Sequence, residues 1–124
     1  MRIVFDTGAF IALERRQKTA LEILRIAAED GDDLIAPAAA VAEWWRAGKR
    51  EKERSRLLRA FKFEAPDLRV SQLAGAAIGL VGAGLGDALV MATASVQGDV
   101  VYTTDLDDFL RLNEIFPTVL VQRI

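Results

Sequence analysis

The chain has 124 residues, 52% of them hydrophobic and 27% charged, a balance expected of one globular domain covering residues 1–124 rather than of a disordered polymer. It contains neither cysteine nor histidine, which excludes disulfide frameworks, the usual zinc sites, Ser-His-Asp triads and any histidine general base. Without them, any hydrolytic chemistry must rest on carboxylates, hydroxyls, basic side chains or a hard cation held by oxygen, and the net charge of −2 by itself argues against a generic nucleic-acid binder.

Arg2–Phe5 reads as a short buried strand that ends at Asp6-Thr7-Gly8. A helical pattern follows over residues 8–15. A firmer one runs from Thr19 to Asp30, with Leu21, Leu24, Ile26 and Ala28 as its expected apolar side. After the break at Gly31-Asp32-Asp33, Leu34–Ala36 reads as a second strand, and Pro37 is expected in the first turn of a helix running through Trp45. Lys49–Phe61 is patterned as an amphipathic helix with Leu57, Leu58 and Phe61 turned inward. Leu68–Val70 is expected as a third strand, followed by helices over about 71–83 and 87–97. Val100–Thr103 is a β-branched strand, 107–113 a short helix and Thr118–Val121 the last strand. Strands separated by helices imply parallel pairing through right-handed crossovers, hence an α/β/α sandwich of three layers around a central parallel sheet.

The uncharged stretch Val70–Gly86 is 17 residues long and includes five glycines. It falls short of the ~20 apolar residues of a membrane span, and the N-terminus lacks the apolar run of a signal peptide. A soluble, cytoplasmic protein is therefore expected. Within the Val70–Gly86 stretch, Gly75 and Gly79 permit close helix approach, either in the core or at a dimer seam. Trp44 and Trp45 cannot both enter one core, so one of them is expected half-exposed at a partner or dimer contact.

Four acids fall where such a sheet carries its functional crevice, outside the carboxyl ends of the strands. Asp6 follows the first strand, and Asp105 follows Val100–Thr103. Asp87 opens a helix, and Glu43 lies in an apolar run, Ala38–Trp45, whose neighbours should be buried. Each of the three aspartates has a structural alternative as a helix N-cap. Converging carboxylates repel one another unless a cation neutralises them, and Mg²⁺ or Mn²⁺ suits a set of hard oxygen ligands. Eight of the sixteen basic residues lie between Arg46 and Lys62, against only Glu51 and Glu53. This segment is either a solvated helix face or a surface for a polyanion, with Arg46, Lys49 and Arg50 as the expected contacts beside Glu43.

The stretches IVFDTGAFIAL, VAEWWR, GDALVMATA and VYTTDLDDF, in this order and across nearly the whole chain, resemble the PIN-domain ribonucleases and, among them, the VapC-type toxins. The resemblance implies Asp6, Glu43, Asp87 and Asp105 as catalytic acids around Mg²⁺ or Mn²⁺. It also implies Thr104 as a hydroxyl orienting water or ligand, and Asp108 as a secondary acid. Metal-dependent cleavage of RNA, often transfer or ribosomal RNA, is implied, together with homodimerisation. So is inhibition by a VapB-like antitoxin that wraps the toxin and inserts an arginine among the acids. Gly86 and the glycine-rich helix before it depart mildly from the family pattern. A non-catalytic PIN-like module that binds RNA or protein is the alternative, and a DNA nuclease is a third reading. Retention of all four acids favours the enzyme.

Overall fold

The computed structural model describes the whole chain, Met1–Ile124. Five strands form one all-parallel sheet: β1 (Arg2–Phe5), β2 (Asp33–Pro37), β3 (Lys62–Glu64), β4 (Val100–Thr103) and β5 (Leu120–Arg123), in the order β3-β2-β1-β4-β5. Seven helices connect them: α1 (Thr7–Glu14), α2 (Lys18–Asp30), α3 (Ala38–Trp44), α4 (Glu51–Leu58), α5 (Leu68–Val81), α6 (Leu85–Gln97) and α7 (Leu106–Asn113). The result is the expected α/β/α sandwich. The chain builds outward from β1 to β3 on one side, then returns to build β4 and β5 on the other. The order therefore reverses between β1 and β4, and the crevice at their carboxyl ends is where such a sheet accepts ligands.

β1 and β4 are buried runs because both faces of these central strands are covered. Val4, Phe5 and Val101 are fully buried, and the core extends through Phe10, Leu13, Met91, Phe109 and Leu112. Ala88, Ala92 and Ala94 on α6 are fully buried, as expected of small residues on a helix that lies close to its neighbours. At one end of the core Phe10 stacks on Trp44 at 4.9 Å, with Phe5 and Phe61 edge-on or tilted around them. Trp44 is thus the core tryptophan, and Trp45 is half-exposed.

Several local expectations are corrected. The third strand is Lys62–Glu64, and Leu68–Val70 forms the first turn of α5. Asp67 caps that helix by accepting from the Val70 N–H at 2.9 Å, while β3 is an exposed edge strand that has no need of an apolar run. On α2 the buried face is Ala20, Ile23 and Ala27, and Leu21 and Ile26 lie outside at 36% and 42% exposure. The helix expected over Lys49–Phe61 is confined to α4, which buries no residue completely; Leu57, Leu58 and Phe61 do face the core, partly buried. Gly75 and Gly79 face away from the core, since no atom lies within 4 Å of where a Cβ would stand at either.

That open space sets an expectation. Gly75→Ala should stabilise the isolated chain by about 0.5–1 kcal/mol, because it relieves the conformational entropy of a helical glycine without meeting a neighbour. Urea denaturation at low protein concentration measures it, and a loss of stability would mean that this face is packed.

Candidate metal centre

The crevice is built around Asp6. Being the residue that ends β1 and caps α1, it is 5% exposed and has both carboxylate oxygens engaged. Oδ1 accepts from the Ala9 N–H at 2.7 Å, and Oδ2 accepts from the Thr103 hydroxyl at 2.6 Å. Thr103, fully buried at the end of β4, in turn accepts from the Asp105 N–H at 2.8 Å. One hydroxyl thus ties the ends of the two central strands together and fixes the acid of one relative to the acid of the other. The capping reading of Asp6 holds, and the same carboxylate lies within electrostatic reach of Asp105 and Glu43.

Asp105 occupies the N-cap position of α7 but makes no capping bond with its side chain, and its carboxyl turns instead toward that of Asp108. Asp87 lies in the first turn of α6, whose cap is Gly84, so it is not a cap itself. Asp87, Asp105 and Asp108 each present a carboxylate oxygen within 4.8 Å of the other two. Asp108, expected only as a secondary acid, is therefore part of the tightest cluster. Asp6 and Glu43 lie outside this trio yet act on it electrostatically, since the charges of both raise the pKa of Asp87.

Glu43 is exposed, contrary to the burial expected from its apolar neighbours: Ala40 and Trp44 take the inner face of α3 and turn Glu43 outward. Its Oε2 accepts from the Thr7 hydroxyl at 3.3 Å. Gly86, the residue that departs from the family pattern, makes room for it, because a Cβ there would stand 1.8 Å from Glu43 Oε1. Thr104 is exposed at the rim, with its hydroxyl over Gly8, where a Cβ would come within 1.9 Å of it. The hydroxyl joining the acids is that of Thr103. The Thr-x-Asp pattern contained it, and the inward position given by strand alternation was the signal that could have found it.

The electrostatics follow from this crowding. Burial raises the Asp6 carboxyl to about 6 against the pull of Thr103 and Ala9, with Asp105 and Glu43 adding to the rise. Asp87 is also raised to about 6, first by burial and then by Asp105, Asp6, Asp108 and Glu43. Asp105 is also raised, first because its carboxyl faces that of Asp108 and then by desolvation. Such a set is poorly suited to stand alone at neutral pH. Arg111 reaches Asp108 at 3.7 Å, while Asp6, Asp87 and Asp105 pair with no Lys or Arg, and their carboxylate oxygens match the needs of a hard divalent cation.

The basic residues divide. Arg46 and Arg50 line a groove of about 660 Å³ that also includes Glu43. Lys49 lies instead on a shallow surface with Lys52, Arg56 and Arg59.

Comparison with known proteins fits this architecture. A family model for the PIN domain matches residues 3–115, and the chain belongs to the PIN domain family. Similar folds occur in the VapBC2 complex of Rickettsia felis bound to a promoter DNA fragment (TM-score 0.79, 13% identity, 100% of this chain and 99% of that one). They occur also in VapBC-1 of nontypeable Haemophilus influenzae (TM-score 0.76, 16% identity, 99% and 98% covered). A toxin–antitoxin complex of Klebsiella pneumoniae is a third (TM-score 0.72, 18% identity, 98% and 99% covered). No curated protein matches the chain in sequence. No helix is long and apolar enough to cross a membrane.

The raised carboxyls predict a pH dependence. Asp6 and Asp87 bind protons more tightly folded than unfolded, so their contribution to stability is fully present below the ordinary value of 3.8 and is lost as pH rises through about 6. The melting temperature of the metal-free chain should therefore fall between about pH 5 and pH 7, and Asp87→Asn should reduce that fall. A flat or rising profile over this interval in calorimetric scans would contradict the crowding.

Proposed function

We propose that this chain is a metal-dependent endoribonuclease, the cytoplasmic toxin of a VapBC-like pair, held inactive by a cognate VapB-like antitoxin. The observation that carries the reading is the group of acids at the β1–β4 switch point, two of them raised to about 6 by burial and mutual repulsion. The PIN family is generally one of nucleases, and toxin–antitoxin complexes among the similar folds support the partner.

Asp6, Asp87 and Asp105 would hold Mg²⁺ or Mn²⁺, with Asp108 beside them and Glu43 acting directly or through water. An ion bound there supplies Lewis-acid stabilisation of charge on phosphoryl oxygens and lowers the pKa of attacking water. The protein's own part is positional. Asp6, fixed at both oxygens, cannot swing out of the crevice. Glu43 Oε1 has no hydrogen-bond partner within the chain and stands ready to accept a proton from an attacking water. Thr104, exposed at the rim, would orient water or substrate. Arg46 and Arg50, on the same groove as Glu43, would hold RNA phosphates, with Lys49 engaging a more distant part of the strand. A homodimer belongs to the same reading, supported by the open face of α5, where Leu68 and Leu80 are 73% and 71% exposed beside Gly75 and Gly79.

The alternative is a PIN-like module that binds RNA or protein without cutting. It leaves unexplained why acids that repel one another are kept together.

The test is cleavage of transfer RNA and total RNA with Mn²⁺ or Mg²⁺ by wild type and Asp87→Asn. Cutting should require the ion and fall by roughly 100-fold or more in the folded variant, the scale of losing a group that stabilises transition-state charge. Equal cutting by both proteins would remove the assignment, and a wild type that binds RNA yet never cuts would favour the binding module.

A further inference from the structure

α1 ends in a way that the other capped helices do not. Its last turn closes through the Arg16 N–H to the Leu13 carbonyl and the Gln17 N–H to the Ala12 carbonyl, both at 3.0 Å. That closure puts Arg16 in the left-handed region at φ 58°. α2 and α5 make the same left-handed exit with Gly31 (φ 71°) and Gly82 (φ 68°), the residue type that takes this conformation without strain. At α1 the chain carries an arginine instead. Arg16 and its neighbour Arg15 are exposed and enter no ion pair or side-chain hydrogen bond. Their side chains line the groove of about 660 Å³ shared with Glu43.

The opposite wall is held in place by Glu14. Its side chain, 10% exposed, receives Trp44 Nε1 at 2.9 Å, Arg50 Nε at 2.5 Å and Arg54 Nη2 at 3.1 Å. Arg54 is spent on structure. Its Nε also reaches Glu14 at 3.2 Å, its Nη1 reaches the Arg46 carbonyl at 3.1 Å, and its guanidinium lies 5.9 Å above the Trp44 ring. Arg50 is only half used, because it engages Glu14 through Nε and remains 56% exposed, leaving its outer fork toward the groove. α4 buries no residue completely, so this carboxylate is its main polar anchor.

We propose that this groove is the track for an RNA sugar–phosphate backbone entering the acidic crevice, with Arg15 and Arg16 as phosphate contacts facing Arg46 and Arg50, and Glu14 and Arg54 as positioning residues. The inference rests on the nuclease reading for its direction toward Glu43. Guanidinium forks match phosphate oxygens in pairs, and five arginines against Glu14 and Glu43 leave the lining positive beside an acidic centre. An arginine kept where glycine would fold better is explained by what its side chain touches.

The experiment measures binding of a fluorescein-labelled oligoribonucleotide by anisotropy, without added metal and in the Asp87→Asn background, so it does not depend on cleavage. Arg16→Gly should weaken binding about 3- to 10-fold and lower the slope of log K against log salt by about 0.7, the share of one single-strand phosphate contact. Its melting temperature should be equal or higher, a combination that a merely structural arginine would not give. Arg15→Gln should act in the same direction, and Arg69→Gln, exposed in the first turn of α5 and on neither basic surface, should change affinity less than twofold. The proposal is overturned if Arg16→Gly leaves affinity and salt slope unchanged, if Arg69→Gln weakens binding equally, or if an acidic peptide binds the groove and RNA does not. Failure of cleavage in the assay above, with these binding effects intact, would remove the nuclease reading and leave the track standing.

Discussion

The architecture of the site depends on one buried hydrogen bond, from the Thr103 hydroxyl to Asp6 Oδ2. A carboxylate that is almost wholly removed from water is costly unless its oxygens find donors. Asp6 finds one in the α1 N-terminus and the other at the end of the neighbouring strand. The same hydroxyl receives the Asp105 N–H, so the registers of β1, β4 and the start of α7 are fixed to one another at a single point. Because the strand order reverses here, no helix covers this end of the sheet, and α6 brings Asp87 to it within its first turn.

Crowding acids in this way stores electrostatic energy in the folded chain. Burial and like charge hold Asp6 and Asp87 near 6, and the neighbouring Asp108 raises Asp105. A divalent cation would convert that repulsion into attraction, making ion binding and proton release one event. The counterpart lies across Glu43, where Glu14 gathers Trp44, Arg50 and Arg54 and so pins a helix too polar to hold itself by burial. The chain's near-neutral total charge thus conceals an acidic centre beside a basic wall.

Much of this was legible in the residues, for physical reasons that differ from place to place. β1 and β4 are central parallel strands and must be apolar on both faces, so their sequences announce them. Asp6, Asp87 and Asp105 were legible because the ends of such strands and the first turns of helices have a fixed relation to the crevice. β3 was not, since an edge strand of Lys-Phe-Glu has no buried face to leave a pattern. The α2 face is not legible in the pattern, because Leu21 and Ile26 are apolar yet exposed, while the small Ala20 and Ala27 take the inner positions. The apolar run around Glu43 suggests burial, but α3 turns only Ala40 and Trp44 fully inward and leaves Glu43 exposed. Thr103 was hidden by its neighbour Thr104, and only the pleat of β4 separates the buried hydroxyl from the exposed one. Arg16 left no trace at all, because its left-handed backbone is a property of how α1 ends.

The central claim is that these acids form a divalent-cation site whose occupation displaces protons. Calorimetric titration of Mn²⁺ into the metal-free chain near pH 6, in two buffers of different ionisation heat, tests it directly. The account predicts saturable binding with net proton release, because Asp6 and Asp87 are then about half protonated, and at least tenfold weaker binding in Asp87→Asn. Absence of saturable binding, or binding that releases no protons and is indifferent to Asp87→Asn, would contradict it.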